Sequence, residues 1–170
     1  CYTPSNWQSV VSFPDFLRER GIVAIEGVDT RALTLRIREG GAMRAAISTL
    51  DLDRESLVAR VRASEHIADH NYVADVSTPE PYDVHATSPD HAYRVVAYDC
   101  GEKVGIAKRL AEAGCEVTVV PWDTTAEEAL SYEPDGVFFS NGPGDPVSVP
   151  ETVEAVRALL GRLPVFGICL

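Results

Sequence analysis

The sequence predicts an α/β protein with an open parallel sheet, and three observations carry that prediction. Short apolar runs recur at residues 95–98, 117–120, 136–140 and 165–168. Helical stretches separate them, two of which are closed by Gly114 and Gly161. Apolar strands alternating with helices form a parallel sheet covered by helices on both faces. Thirdly, Asp99, Asn141 and Cys169 all fall at the carboxyl ends of these strands, the edge where such sheets bind ligands.

The elements follow in chain order. Residues 1–75 form a first unit, part of a small α/β domain. Phe13-Pro14-Asp15-Phe16-Leu17 opens a short helix, with proline in its first turn and Gly21 at its end. A strand is predicted over 22–25. Asp29 or Thr30 caps the next helix, whose Leu33 and Ile37 recur at helical spacing, and Gly40-Gly41 ends it. A second strand is predicted over 42–48. Asp51 or Asp53 starts a helix with Leu57, Val58 and Val61 on one face. Residues 76–93 are rich in Pro, Asp, Ser and His and show no period, so they are predicted as a linker or a partly ordered crossover.

Residues 94–170 hold the sheet. A helix is predicted over 103–113, and Pro121 stops the strand over 117–120. Thr125 and Glu128 have the spacing of a capping box before a short helix to Leu130. A further helix is predicted over 150–160. The chain opens at Cys1 without an initiator methionine and runs one residue past Cys169, as an internal fragment with a truncated sheet would.

Composition narrows the class. The net charge is −11, with nine basic against 14 acidic residues in 1–93 and six against 12 in 94–170. Neither half carries the basic footprint of a nucleic-acid binder or a polybasic membrane patch. The four cysteines and four histidines show no zinc-ligand spacing, and Cys100 and Cys115 are expected as small core residues. No apolar run approaches the ~18 residues of a membrane span. A reduced, cytoplasmic protein accounts for these features.

Two segments could carry chemistry. Pro164-Val165-Phe166-Gly167-Ile168-Cys169-Leu170 is a strand running into a thiol. A sharp turn after it would hold the sulfur out of the sheet near a helix N-terminus, where the dipole favours the thiolate. Gly167-x-Cys169 is half of a nucleophile elbow. Taken by itself, a buried core cysteine is the commoner outcome. Ser140-Asn141-Gly142-Pro143-Gly144-Asp145-Pro146 adds a loop with little side-chain bulk. The N–H groups of Gly142 and Leu170 are candidate donors to an oxyanion, and Gly144 allows close approach of a substrate. An ordinary turn is the alternative for that loop taken by itself. Lys103 could meet an anion or be solvated, and Asp29-Thr30-Arg31 could be functional or only a helix cap.

These residues resemble a known family. The strand at 95–99, the Ser140–Pro146 motif and the 164–170 motif are similar to those of class I (triad-type) glutamine amidotransferases. Gly27-Val28-Asp29-Thr30-Arg31-Ala32-Leu33-Thr34 and Gly41-Ala42-Met43 narrow the resemblance to the small, glutamine-hydrolysing subunits of carbamoyl-phosphate synthetase. The resemblance implies a flavodoxin-like sheet, with Cys169 as the nucleophile and Gly142, Gly144 and Leu170 holding L-glutamine and the oxyanion. It also implies a partner: a large subunit that uses ATP, Mg and bicarbonate to make carbamoyl phosphate for pyrimidine and arginine synthesis. No cofactor is implied in this chain, and neither nucleic acid nor membrane is a partner.

The sequence departs from the family's pattern at several points. The family's Gly-His-Gln after the position of Leu170, and its later His and Glu, are absent, so this chain is expected to be inactive alone. Cys100 stands where the family usually has Phe, and Gly105 where it usually has Asn. Gly105 is expected to weaken its helix by about 1 kcal/mol. Two other functions remain open: a glutaminase of another synthase, such as the anthranilate type, and a non-enzymatic α/β interaction module.

Overall fold

The structure, a computed structural model, describes residues 3–87 and 93–169. It comprises two compact units, Cys1–His66 and Ile67–Leu170. Among the described residues no helix is long and apolar enough to cross a membrane.

The first unit holds three helices. In α1 (Phe13–Glu19) the Ser12 hydroxyl accepts from the Asp15 N–H at 3.3 Å. Asp29 caps α2 (Thr30–Gly40) by accepting from the Ala32 N–H at 2.9 Å, and Gly41 ends it at a φ of +76°. Asp53 caps α3 (Arg54–Ala63) through the N–H groups of Glu55 and Ser56. Each cap satisfies donors that a first helical turn leaves free. None of the three helices contains a buried residue.

The strands predicted over 22–25 and 42–48 do not form. Alternation can shape an extended segment, but a strand also needs a second row of donors and acceptors. Among the described residues neither segment meets one. The second segment is held differently, with Arg44 donating to the carbonyls of Arg62, at 3.1 Å, and Ser64 at the end of α3.

The second unit begins earlier than the sequence indicated. Residues 67–75 were expected with the first unit, yet α4 (Tyr72–Val76) buries Val73 against Cys100 and Val149. Of the two readings of residues 76–93, the partly ordered crossover is the one that the structure shows. Tyr82–Val84 forms β1, which pairs antiparallel with β3 (Cys115–Pro121), and Thr118 donates to Asp83 at 2.8 Å. A three-residue strand is too short to show a period, and it lies among turn-forming residues.

The remaining strands are β2 (Tyr93–Asp99), β4 (Gly136–Phe139) and β5 (Val165–Gly167). The sheet order is β1-β3-β2-β4-β5, and β2 to β5 all run parallel. Those four strands follow the flavodoxin-like order. Between them lie α5 (Gly105–Glu112), α6 (Ala126–Ser131) and α7 (Pro150–Leu159). The capping box of α6 is present, with Thr125 and Glu128 each accepting from the other's backbone N–H.

Alternate residues of each strand supply the two faces. Val96, Tyr98, Val137 and Phe139 pack with Ala126 and Ala129 of α6 and with Ala155 and Leu159 of α7. The Tyr98 and Phe139 rings stack at 4.5 Å. Ala97, Val117, Val119 and Phe138 pack with Ala107 of α5 on the other face. Burial of this kind contributes about 25 cal/mol per Å² of apolar surface. Gly105 opens α5 rather than lying inside it, so the interior-glycine penalty expected there does not apply.

Candidate active site

The chain order of the strands reverses direction at β2. Strand β3 lies on one side of it and β4 on the other. The switch point of a doubly wound sheet, near which such sheets bind ligands, therefore falls at the carboxyl ends of β2 and β4.

Asp99 ends β2 and is 8% exposed. Its Oδ1 accepts from the N–H groups of Gly101 at 2.9 Å and Glu102 at 2.6 Å, and its Oδ2 from Thr78 at 2.8 Å. One carboxylate thus holds the turn after β2 to the chain leading into β1. Its role in these contacts is to shape backbone. Glu102 continues the turn, with its Oε1 accepting from the Ala107 N–H at 2.7 Å in the first turn of α5. Burial raises the Glu102 carboxyl above the ordinary carboxylate range.

The loop after β4 packs onto that turn. Ser140 is fully buried; its Oγ accepts from the Cys100 N–H at 2.9 Å and donates to the Asn141 carbonyl at 2.9 Å. The Asn141 amide donates to the Gly101 carbonyl at 3.1 Å and accepts from the Lys103 N–H at 3.3 Å. A methyl group placed on Gly142 would sit 2.1 Å from the Cys100 carbonyl oxygen. Gly142 is therefore required for space. Gly144 is required for conformation, since its φ is +87°. Among the described residues the N–H groups of Gly142 and Gly144 have no acceptor.

Cys169 follows β5 and is exposed, with a φ of +75°. A non-glycine residue in this region stores roughly 1–3 kcal/mol of strain, and such strain gathers at functional turns. Glu133 shares the feature at +51°, but it follows the end of α6, where left-handed residues are ordinary. The β4–β5 register pairs Phe139 with Gly167, and the Ile168 N–H donates to the Phe139 carbonyl at 3.1 Å. Cys169 thus leaves β5 at the same sheet edge as the loop that leaves β4. Among the described residues Cys169 has no hydrogen-bond or ion-pair partner.

Two other cysteines behave differently. Cys100 is buried beside Val73, Val149 and Trp122, and burial pushes its thiol up to about 11. Cys115 is half-buried against the α5 face of the sheet.

The structure thus brings the Gly142 and Gly144 loop and Cys169 to one edge of the sheet. Leu170 lies outside the described residues. Lys103 serves the site through its backbone N–H, while its side chain is exposed. Asp29 is a helix cap. Sequence reasoning missed Tyr72 and Val76. The Tyr72 ring lies 3.6 Å from where a Gly144 side chain would begin, and Val76 lies 3.0 Å from the same point on Gly101. The cap at Asn71, which accepts from the Ala74 N–H at 3.1 Å, was the available signal for their helix.

Comparison with known proteins places this site in a family. Residues 96–170 match the model of the class-I glutamine amidotransferases, and residues 1–47 match the CPSase domain of the carbamoyl-phosphate synthase small chain. The chain belongs to the carbamoyl phosphate synthase small chain family. It is 44% identical to the carbamoyl phosphate synthase small chain of Syntrophotalea carbinolica over 183 aligned positions, covering 100% of this chain and 48% of the relative. It is 45% identical to that of Bacillus cereus, covering 100% of this chain and 45% of the relative. Identity to the Thermosynechococcus vestitus protein is 47%, covering 100% of this chain and 48% of the relative. The chain therefore spans about half the length of the curated relatives it matches. The match over 1–47 favours the carbamoyl-phosphate type over an anthranilate-type glutaminase.

Proposed function

We propose that the protein is the glutamine-hydrolysing subunit of a carbamoyl-phosphate synthetase. The observation that carries this reading is Cys169, an exposed thiol in a left-handed turn, at the same sheet edge as a loop whose Gly142 and Gly144 N–H groups are unengaged among the described residues. The Cys169 thiolate attacks the side-chain amide carbon of L-glutamine. A C–S bond forms, and the carbonyl electron pair moves onto oxygen. The Gly142 N–H, joined by that of Leu170, donates to this oxyanion, and Gly144 lets the substrate approach the loop. Collapse expels the nitrogen as ammonia once it has gained a proton, leaving a glutamyl thioester. Water attacks the thioester, releases glutamate and restores the thiol.

A general base must take the thiol proton and then, as the conjugate acid, give it to the leaving nitrogen. In the family that this sequence resembles, a His and a Glu further along than the position of Leu170 serve this purpose. Residues 1–170 alone should therefore turn over little glutamine. Ammonia passes to a large ATP-dependent subunit that combines it with bicarbonate for pyrimidine and arginine synthesis. The chain's own step needs no cofactor. The test is ammonia release from glutamine by the full-length protein and its Cys169→Ser variant. A loss of several orders of magnitude supports the reading, and equal rates overturn it.

A further inference from the structure

Gly142 cannot set its own position against the turn after β2. It has no side chain, and it rests against the Cys100 carbonyl at a separation that excludes even a methyl group. Pro143 is equally constrained, since its Cδ would lie 2.9 Å from a side chain on Gly101. Gly142 and Pro143 are both pressed onto the turn after β2. What fixes its register against that turn is the residue immediately before it.

Asn141 bridges the two loops with both ends of its amide. The Nδ2 donates to Gly101 O at 3.1 Å, and the Oδ1 accepts from Lys103 N at 3.3 Å. The two partners are two residues apart, so the amide spans the outer bend of the turn and holds it by a donor and an acceptor. The turn is in turn fixed by Asp99, which takes the N–H groups of Gly101 and Glu102. A continuous chain of contacts runs from Asp99 through the turn to Asn141 and on to Gly142. The side chain of Asn141 uses one donor and one acceptor in this bridge. Both bonds hold the loop after β4 to the turn after β2.

We infer that Asn141 is a positioning residue for the oxyanion site, and that its bridge to Gly101 and Lys103 sets the position of the Gly142 N–H opposite Cys169. This inference rests on the glutaminase reading above. An oxyanion donor works only within hydrogen-bond reach of the charge that develops, and loss of one such donor costs roughly 10²–10³-fold in kcat. A displacement of about 1 Å costs roughly 10²-fold. Because the donor acts chiefly on the transition state, the loss falls on kcat and leaves KM nearly unchanged.

The test uses the full-length protein with Asn141→Ala and the near-isosteric Asn141→Asp, which keeps an acceptor for the Lys103 N–H and loses the donor to Gly101. Glutamine kcat and KM are measured beside the rate at which iodoacetamide alkylates Cys169. Alkylation needs the thiolate but no oxyanion donor. Asn141→Ala should lower kcat by roughly 10- to 100-fold, with KM and the alkylation rate within about threefold of wild type. Asn141→Asp should also lower kcat, and it provides the same reading if the alanine variant does not fold. Wild-type kcat in both variants overturns the inference, as does a fall in alkylation equal to the fall in kcat, which would mark general damage. A wild-type protein that releases no ammonia from glutamine overturns the functional reading and this inference with it. Normal wild-type turnover with unaffected variants overturns the inference alone.

Discussion

The backbone of Gly142 and the carbonyl of Cys100 touch so closely that a β-carbon on Gly142 would lie 2.1 Å from the Cys100 oxygen. That contact joins the strand that carries the donor loop to the neighbouring strand at the centre of the sheet. The oxyanion donor proposed here is therefore anchored to the buried end of β2, where Cys100 is 1% exposed.

Gly142→Ala must push the loop off that carbonyl, since neither side of the contact is a flexible side chain. In the full-length protein the variant should lose at least ~10²-fold in glutamine kcat, the cost of moving an oxyanion donor by about 1 Å. Steady-state ammonia release checks it. A variant with wild-type kcat would show that Gly142 does not hold the reacting oxygen.

Asp99 accepts three backbone N–H groups while 8% exposed, so its removal leaves donors without a partner in a sparsely hydrated corner. Asp99→Ala should destabilise the full-length protein by about 3 kcal/mol. Urea unfolding of the two proteins measures the difference. A change under about 0.5 kcal/mol, the scale of an ordinary surface substitution, would mean the turn does not depend on this carboxylate.

The cysteines should separate cleanly in reactivity. Cys169 is exposed, whereas Cys100 is buried with its thiol pushed up to about 11. Limited iodoacetamide treatment near neutral pH, followed by peptide mapping, should label Cys169 first and leave Cys100 unmodified until the protein unfolds. Labelling of Cys100 at the rate of Cys169 would contradict the burial that the core packing implies.

His85 pairs with Glu116, and that hydrogen bond raises the His85 pKa above its ordinary 6.5. The sign follows from linkage: the folded state holds this proton more tightly than the unfolded state. The pair's contribution is therefore fully present below pH ~6.5 and is lost as pH rises through the folded value. His85→Gln should lower Tm at pH 5.5 and have little effect at pH 8.5. An equal effect at both values would show that the pair is not charge-linked.

Much of the second unit was legible in the sequence because its signals are redundant. Residues 136–140 are apolar, end in turn formers and precede a proline-opened helix, and each of these features points to β4. The first unit offered the same local signals over 22–25 and 42–48, yet no strand forms there. The helix caps act within one turn: Thr125 was read directly, and the choices of Asp29 or Thr30 and of Asp51 or Asp53 resolve to Asp29 and Asp53. Strands depend on distant partners, which a local pattern cannot supply. The same limit hid β1, a short edge strand whose place is set by Val117 to Val119 of β3. At the site, the thiol and the glycines announced themselves by type and spacing. Tyr72, Val76 and the two-ended role of Asn141 did not, because each depends on contacts between residues far apart in the chain.

The most direct test is to quench the full-length protein with acid during glutamine turnover and map the acylated peptide by mass spectrometry. The account predicts a glutamyl thioester on Cys169 and on no other cysteine, absent from Cys169→Ser. Sustained glutamine hydrolysis with no adduct on Cys169, or with the adduct on another residue, would contradict it.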